Sequence, residues 1–174
     1  MDGVPSDRSW GSTASDFQLI SEVPAIIDNK FRRGNDEDGR HYWLTPPRLY
    51  QQLDDEFHFD FDPCPYPLPD GFDGLTCEWG RSNYVNPPFG SIMHRGRKKG
   101  PTAWMRKAIR EHAKGKGVVI VYPTDKWVLM MLAAVGVGHY VRNLGDVRWC
   151  AIEDGQPGPG IGRHVACFVL EAKR

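Results

Sequence analysis

Apolar positions are sparse and irregular over the first forty residues. They gather at Phe17, Leu19 and Ile20 and again at Ile26 and Ile27, with Pro24 between the two groups. Proline withholds a backbone donor and interrupts a regular element, so this region is expected to be a flexible arm over 1–40 carrying a short docking segment. From position 41 the pattern tightens. Leu49, Leu53 and Phe57 recur every four residues behind Thr45-Pro46-Pro47, which predicts a helix over 46–56 with Thr45 as its N-cap. The alternation in Phe57-His58-Phe59-Asp60-Phe61-Asp62 predicts a strand, and a proline- and glycine-rich loop follows over 63–74. Asn83-Tyr84-Val85 predicts a short strand running into Asn86-Pro87-Pro88-Phe89. Residues 90–101 show no periodicity and read as a loop. Beyond them Trp104, Met105, Ala108, Ile109 and His112 share one helical face, with Thr102 as N-cap and Gly115 as the stop.

The apolar run 118–122 has no alternation, which predicts a strand covered on both faces. A helix capped by Thr124 is expected to about Val135, then strands over 139–141, 147–152 and 165–170. The glycine- and proline-rich loop 155–162 would join the last two as an antiparallel hairpin. Strands alternating with helices predict an α/β fold, compact and with a mainly parallel sheet, filling one domain over 41–174. In such sheets ligands gather beyond the carboxyl ends of the strands, and both Asp62 and the Asn86 tetrad fall at such ends.

The 174 residues carry a formal net charge of zero, unusual for a chain that holds a polyanion, but the charge is unevenly spread. Between Arg48 and Arg81 there is no Lys or Arg, only acids from Asp54 to Glu78. Between His94 and Lys116 nine lysines and arginines face Glu111 alone. That asymmetry suits one face to a polyanion, with Arg95, Arg97, Lys98 and Lys99 as the leading contacts. Cys64, Cys77, Cys150 and Cys167 lack metal-ligand spacing, so no metal is expected and reduced core thiols are. No apolar run is long enough for a membrane span, and the first residues lack the pattern of a secretory signal, so no membrane partner and a cytoplasmic location are expected.

The sharpest chemical signal is Asn86-Pro87-Pro88-Phe89. The lone pair of an adenine N6 is delocalised into the ring. Acceptors directed at its two N–H bonds help to free it, and the Asn86 side-chain oxygen and the Pro87 carbonyl can serve. The prolines stiffen the segment and remove competing donors, and Phe89 offers a flat surface to a base taken out of its stack. Asp62 at a strand end can accept from a ribose or an amino group. The helix start at Thr45-Pro46 can present free amides to a carboxylate. Pro63-Cys64 also occurs in cytosine-C5 chemistry, but that chemistry needs a Glu-Asn-Val element, which the chain lacks.

Taken in order, Trp43-Leu44-Thr45-Pro46-Pro47, Phe59-Asp60-Phe61-Asp62-Pro63-Cys64, Asp73-Gly74-Leu75 with Trp79, and Asn86-Pro87-Pro88-Phe89-Gly90 resemble the phage and prophage DNA N6-adenine methyltransferases, the Dam-like family. Trp104 and the segment 118–127 are similar too, so the likeness spans about residues 42–170. It implies a Rossmann-like fold that binds S-adenosyl-L-methionine (SAM), and methyl transfer to N6 of adenine in DNA. It implies catalytic roles for Asn86, Pro87, Pro88 and Phe89. It puts Thr45 and Pro46 beside the amino-acid end of SAM, Asp62 at the first cofactor motif and Asp73 near the adenosine. The chain departs from this pattern in having no glycine-rich turn after Asp62 and no large target-recognition domain. Two other readings stand beside it: the same fold acting on cytosine N4, guanine N2 or a protein glutamine, and a nucleic-acid-binding module with little catalysis.

Overall fold

The computed structural model describes residues 40–90, 92–136 and 139–173. The arm expected over 1–40, with its docking segment, lies outside the described residues except for Arg40, which pairs with Asp154 at 2.8 Å. In chain order the elements are β1 (Tyr42–Leu44), α1 (Pro47–Phe57), β2 (Ser82–Val85), β3 (Ile92–His94), β4 (Arg97–Lys99), α2 (Pro101–Ala113), β5 (Gly117–Pro123), α3 (Lys126–Ala133), β6 (His139–Gly145), β7 (Cys150–Ala151) and β8 (Val165–Leu170).

The central sheet has the order β2-β5-β8-β6. β2 runs parallel to β5, and β8 is antiparallel to both β5 and β6. A parallel bridge from Phe61 to Asn83 adds the Phe61 segment on the outer side of β2. The result is a compact α/β fold with a mixed sheet. By direction, the Phe61 segment, β2, β5 and β6 point one way and β8 alone points the other. The expected hairpin between 147–152 and 165–170 does not form. β8 takes β6 as its antiparallel partner instead, while β7 leaves the sheet to pair with β1.

Alternation along the strands splits the core into two layers. Val85, Val118, Ile120 and Phe168 face α2 and α3 through Trp104, Met105, Ala108, Val128 and Leu132. Tyr84, Val119, Val121, Cys167 and Val169 face α1 through Leu53, with Val147 and Trp149 beside it. Every residue of β8 is buried, as a strand with sheet partners on both sides and a layer on each face requires. No helix among the described residues is long and apolar enough to cross a membrane.

Several local expectations shift. None of the three threonines read as N-caps serves as one. Pro46 is the N-cap of α1, Gly100 that of α2 and Asp125 that of α3. Thr45 is drawn away because its hydroxyl bonds the Tyr84 hydroxyl. Pro101 fits the first helical position, which moves the start of α2 ahead of Thr102. The Asp125 carboxylate accepts from the amides of Trp127 and Val128 at 2.8 and 3.2 Å, which moves the cap and the start of α3 one residue later than expected. The strand expected over 57–62 reduces to one bridge. Phe57 belongs to α1, and His58 closes the helix with φ of 51°, its amide donating to the Asp54 carbonyl at 2.7 Å. The loop expected over 90–101 contains the β3–β4 hairpin, turned at Arg95 and Gly96, both with positive φ (50° and 71°). Two consecutive positive φ angles match the twist of a two-residue hairpin turn.

Candidate active site at the carboxyl ends of the strands

Because four strand segments share a direction, their carboxyl ends align on one edge of the sheet. Asp62 follows Phe61 there, Asn86 follows β2, and Asp125 follows β5. The tetrad is held from below. The Asn86 Nδ2 donates to the Trp43 carbonyl at 2.8 Å and to Thr45 Oγ1 at 3.3 Å, and the Thr45 hydroxyl in turn bonds the Tyr84 hydroxyl. A carbonyl can only accept, so the bond to Trp43 fixes which end of the Asn86 amide faces inward. Its Oδ1 therefore faces away and accepts no hydrogen bond from a described residue. The Pro87 carbonyl likewise takes part in none of the loop and turn hydrogen bonds among the described residues.

Phe89 packs edge-on against Tyr122 and Trp149, with ring centroids 5.2 and 5.1 Å away. Pro87 is buried and Pro88 half-buried beneath this cluster. The Trp149 side chain is 1% exposed, yet its indole N–H has no partner among the described residues. Burial, with Asp125 adding and Arg163 opposing, pushes the Tyr122 phenol up to about 12, so it remains a neutral ring at any working pH.

Asp62 is half-buried beside this arrangement. Among the described residues its carboxylate accepts from the Cys64 amide alone, at 2.7 Å. Burial raises its pKa to about 6, and that single hydrogen bond opposes the shift only in part. Its charge reaches Tyr50 and Tyr84. Burial first, then neighbouring carboxylates, push the phenol of Tyr50 up, and burial pushes that of Tyr84 well up against the pull of Thr45. Burial, then Asp62 and Cys77, also raise the Cys64 thiol well above its ordinary value, the opposite of what an attacking thiolate needs.

The loop after Asp62 depends on a glycine from further along the chain. A Cβ on Gly74 would stand 1.9 Å from the Pro63 carbonyl oxygen, so only glycine lets the 63–74 loop fold back onto the residue after Asp62. This brings Asp73 close by, but its carboxylate is engaged. Oδ1 accepts from the Leu75 amide at 3.0 Å and Oδ2 faces His94 Nδ1 at 3.1 Å. The structure thus links Thr45, Asn86 and, through Tyr84, Asp62 into one neighbourhood. Asp73 belongs instead to a second one that tethers the β3–β4 hairpin through His94.

The α1 N-terminus, following Pro46, has no side-chain cap, so its first amides remain for water or a ligand. On the hairpin, Arg95 and Arg97 are exposed, and neither they nor Lys99 form an ion pair with a described residue. Lys98 lies in β4. The rest of the basic stretch divides. Arg106 and Arg110 stay accessible on α2, but Lys107, Lys114 and Lys116 converge on Glu111 at 2.7 to 2.9 Å. Those three lysines belong to the architecture. Tyr84, Tyr122 and Trp149 complete the site, His94 holds the neighbouring hairpin, and none of them carries a sequence motif of its own. The alternation that turns Tyr84 to the opposite face from Val85 was the one available signal.

No family model, no curated protein and no solved structure matched the chain when compared with it.

Proposed function

We propose that the chain is a SAM-dependent methyltransferase, built on a Rossmann-like domain, that transfers a methyl group to N6 of adenine in DNA. The observation that carries this reading is the orientation of the Asn86 amide: its nitrogen is tied down by Trp43 and Thr45, so that its oxygen, like the neighbouring Pro87 carbonyl, has no hydrogen-bond donor among the described residues. Two free acceptors next to an aromatic face suit an exocyclic amino group with two N–H bonds on a flat base. The direction of the strands adds support, since it gathers Asp62, Asn86 and the α1 N-terminus at one edge.

The residues also fit the cofactor. Asp62 is a carboxylate at a strand end with a single amide partner, suited to accept from ribose hydroxyls. The uncapped amides of α1 suit the methionine carboxylate. When bound, SAM supplies the electrophilic methyl group. The protein's part is to hold the amino hydrogens on Asn86 Oδ1 and the Pro87 carbonyl, so that positive charge gathering on nitrogen faces two fixed oxygens. Phe89 holds the ring in plane. The nitrogen then loses a proton to water, and neither a protein nucleophile nor a buried base is required.

The test is transfer of a labelled methyl group from SAM to DNA, RNA and protein, followed by digestion of the labelled product. N6-methyladenine from DNA is the expected result. Label found only at cytosine N4, guanine N2 or glutamine overturns the choice of amino group. No label in any acceptor, with nucleic acid still bound, favours the binding-module reading.

A further inference from the structure

The carboxyl edge carries an aromatic residue that the proposed chemistry does not use. Trp127 opens α3 and is 58% exposed, and Met130, one turn on, is 53% exposed. A single exposed apolar side chain is ordinary, but exposed apolar side chains grouped on one short helix with charge at the rim mark a contact site, and Leu129 is exposed here too. Here the charge is present. Lys126 Nζ stands 5.5 Å from the Trp127 ring centroid, and the neighbouring carboxylate, Asp125, is committed to capping the helix. The 163–164 turn adds Arg163 and His164, joined to this edge by the Thr124 amide bonding the His164 carbonyl at 2.9 Å.

The placement follows from topology. β5 is the parallel neighbour of β2, so Trp127 leaves the sheet on the same edge as Asn86. Tyr122, five residues earlier, touches Phe89. We infer that Trp127, with Lys126 and Arg163, is a stacking platform for a second, unstacked base of the nucleic acid strand whose target base sits at Phe89. Bases stack on an exposed indole without regard to sequence, and the cations meet the backbone between the two bases. A separate recognition domain is then not needed to grip an opened strand. The inference rests on the nucleic-acid reading above. A second copy of this chain is the competing occupant, since Trp127 and Met130 could also pair across a two-fold axis.

The experiment uses the intact protein and two probes of equal length, oligo(dT) and its abasic counterpart with the same phosphates, at one salt concentration. Wild type is expected to prefer oligo(dT). Trp127→Ala should lose about tenfold in affinity for oligo(dT) and little for the abasic strand. Trp127→Phe should keep most of the preference, while Lys126→Ala should weaken both probes alike. Because Trp127 is exposed, thermal unfolding of these variants should match wild type, which excludes misfolding as the cause. Unchanged oligo(dT) binding by Trp127→Ala, or equal loss on both probes, overturns the inference. So does a change confined to sedimentation behaviour, which would assign the ledge to a dimer. Labelled-methyl transfer on the same preparations keeps the two claims apart. Transfer without a Trp127 effect removes the platform alone, and a Trp127-dependent grip without transfer removes the methyltransferase alone.

Discussion

Glu111 and Asp62 mark opposite ends of the same sheet and have opposite surroundings. Helix α2 runs back from the carboxyl edge toward the start of β5, and there Glu111, 1% exposed, meets Lys107, Lys114 and Lys116. Burial alone would raise its pKa, but hydrogen bonds from the three lysines bring it down to about 2. Lys116 also reaches Glu78 and the Trp79 carbonyl, so the cluster binds α2 to the chain entering β2. Asp62 has no cation beside it among the described residues, and its pKa is raised to about 6. The contrast teaches where to look for chemistry. A buried charge met by partners within the fold is architecture, and a polar group left short of partners at a strand end is a candidate for ligand binding.

The largest expected effect tests the open end. Asn86→Ala should lower methyl transfer on the order of 10²–10³-fold, by analogy with removing one fixed hydrogen-bonding group from a transition-state site. SAM affinity by calorimetry should persist. Full activity in this variant would reduce the tetrad to a bracket for the Trp43 turn.

Next comes the closed end. Glu111→Ala leaves Lys107 buried without its partner and should cost about 3–5 kcal/mol in urea unfolding, with transfer per folded molecule unchanged. The two carboxylates should also leave opposite marks on stability. The folded pKa of Glu111, about 2, lies below its ordinary 4.5, so its contribution is in place above pH 4.5 and is lost as pH falls toward 2. The folded pKa of Asp62, about 6, lies above its ordinary 3.8, so its contribution is fullest below pH 3.8 and declines as pH rises through 6. Thermal unfolding of Glu111→Gln and Asp62→Asn across this range should remove one trend each.

A smaller effect sharpens the role of Asp62. If SAM requires the ionised carboxylate, its affinity should rise about tenfold between pH 5 and pH 7, as the ionised fraction grows with a pKa of about 6. Asp62→Asn should bind more weakly and lose this dependence in calorimetry. A wild-type affinity flat with pH would place the cofactor away from Asp62.

The smallest effect separates the two classes of cation. Neutralising Arg95, Arg97, Lys98 and Lys99 should flatten the salt dependence of duplex DNA binding, by up to about 0.9 for every phosphate that the hairpin neutralises in wild type. Neutralising Lys114, which is spent on Glu111, should leave that slope unchanged. Equal slopes for wild type and the hairpin variant would move the DNA track off the hairpin.

What could be read in the sequence was what depends on neighbours in the chain. The unbroken apolar run of β5, the strand β8 and the Asn86 tetrad at the end of β2 are local signals, and their positions agree with the structure. The hairpin was illegible because Arg95 stands where Asn, Asp or Gly usually precedes the turn glycine, and because its strands are three residues each. β1 was illegible because its partner, β7, lies more than a hundred residues away. Lys107 and Glu111 read only as part of the charged stretch suited to a polyanion, since nothing local reveals that Lys116 returns to close the cluster. The site divides the same way. Asn86, Phe89 and Asp62 are visible as motifs. The hydrogen bonds that turn the Asn86 amide, and the Tyr122 and Trp149 rings around Phe89, exist only once distant segments meet.

The one reversed strand has a consequence for how the protein is made. β8 is the last of the named strands to be synthesised, yet it occupies the middle of the sheet, between β5 and β6. Until it emerges from the ribosome, β5 and β6 each expose an unpaired edge and the two core layers are open at their centre. The nascent chain can form α1, α2 and α3, but it cannot complete the sheet. Completion of the sheet is therefore expected only after β8 has been translated, in a step that joins residues distant in sequence and is correspondingly slow. Ribosome-bound chains ending before Val165 should remain protease-sensitive through β5 and β6, and those extending well past Leu170 should become resistant in one transition.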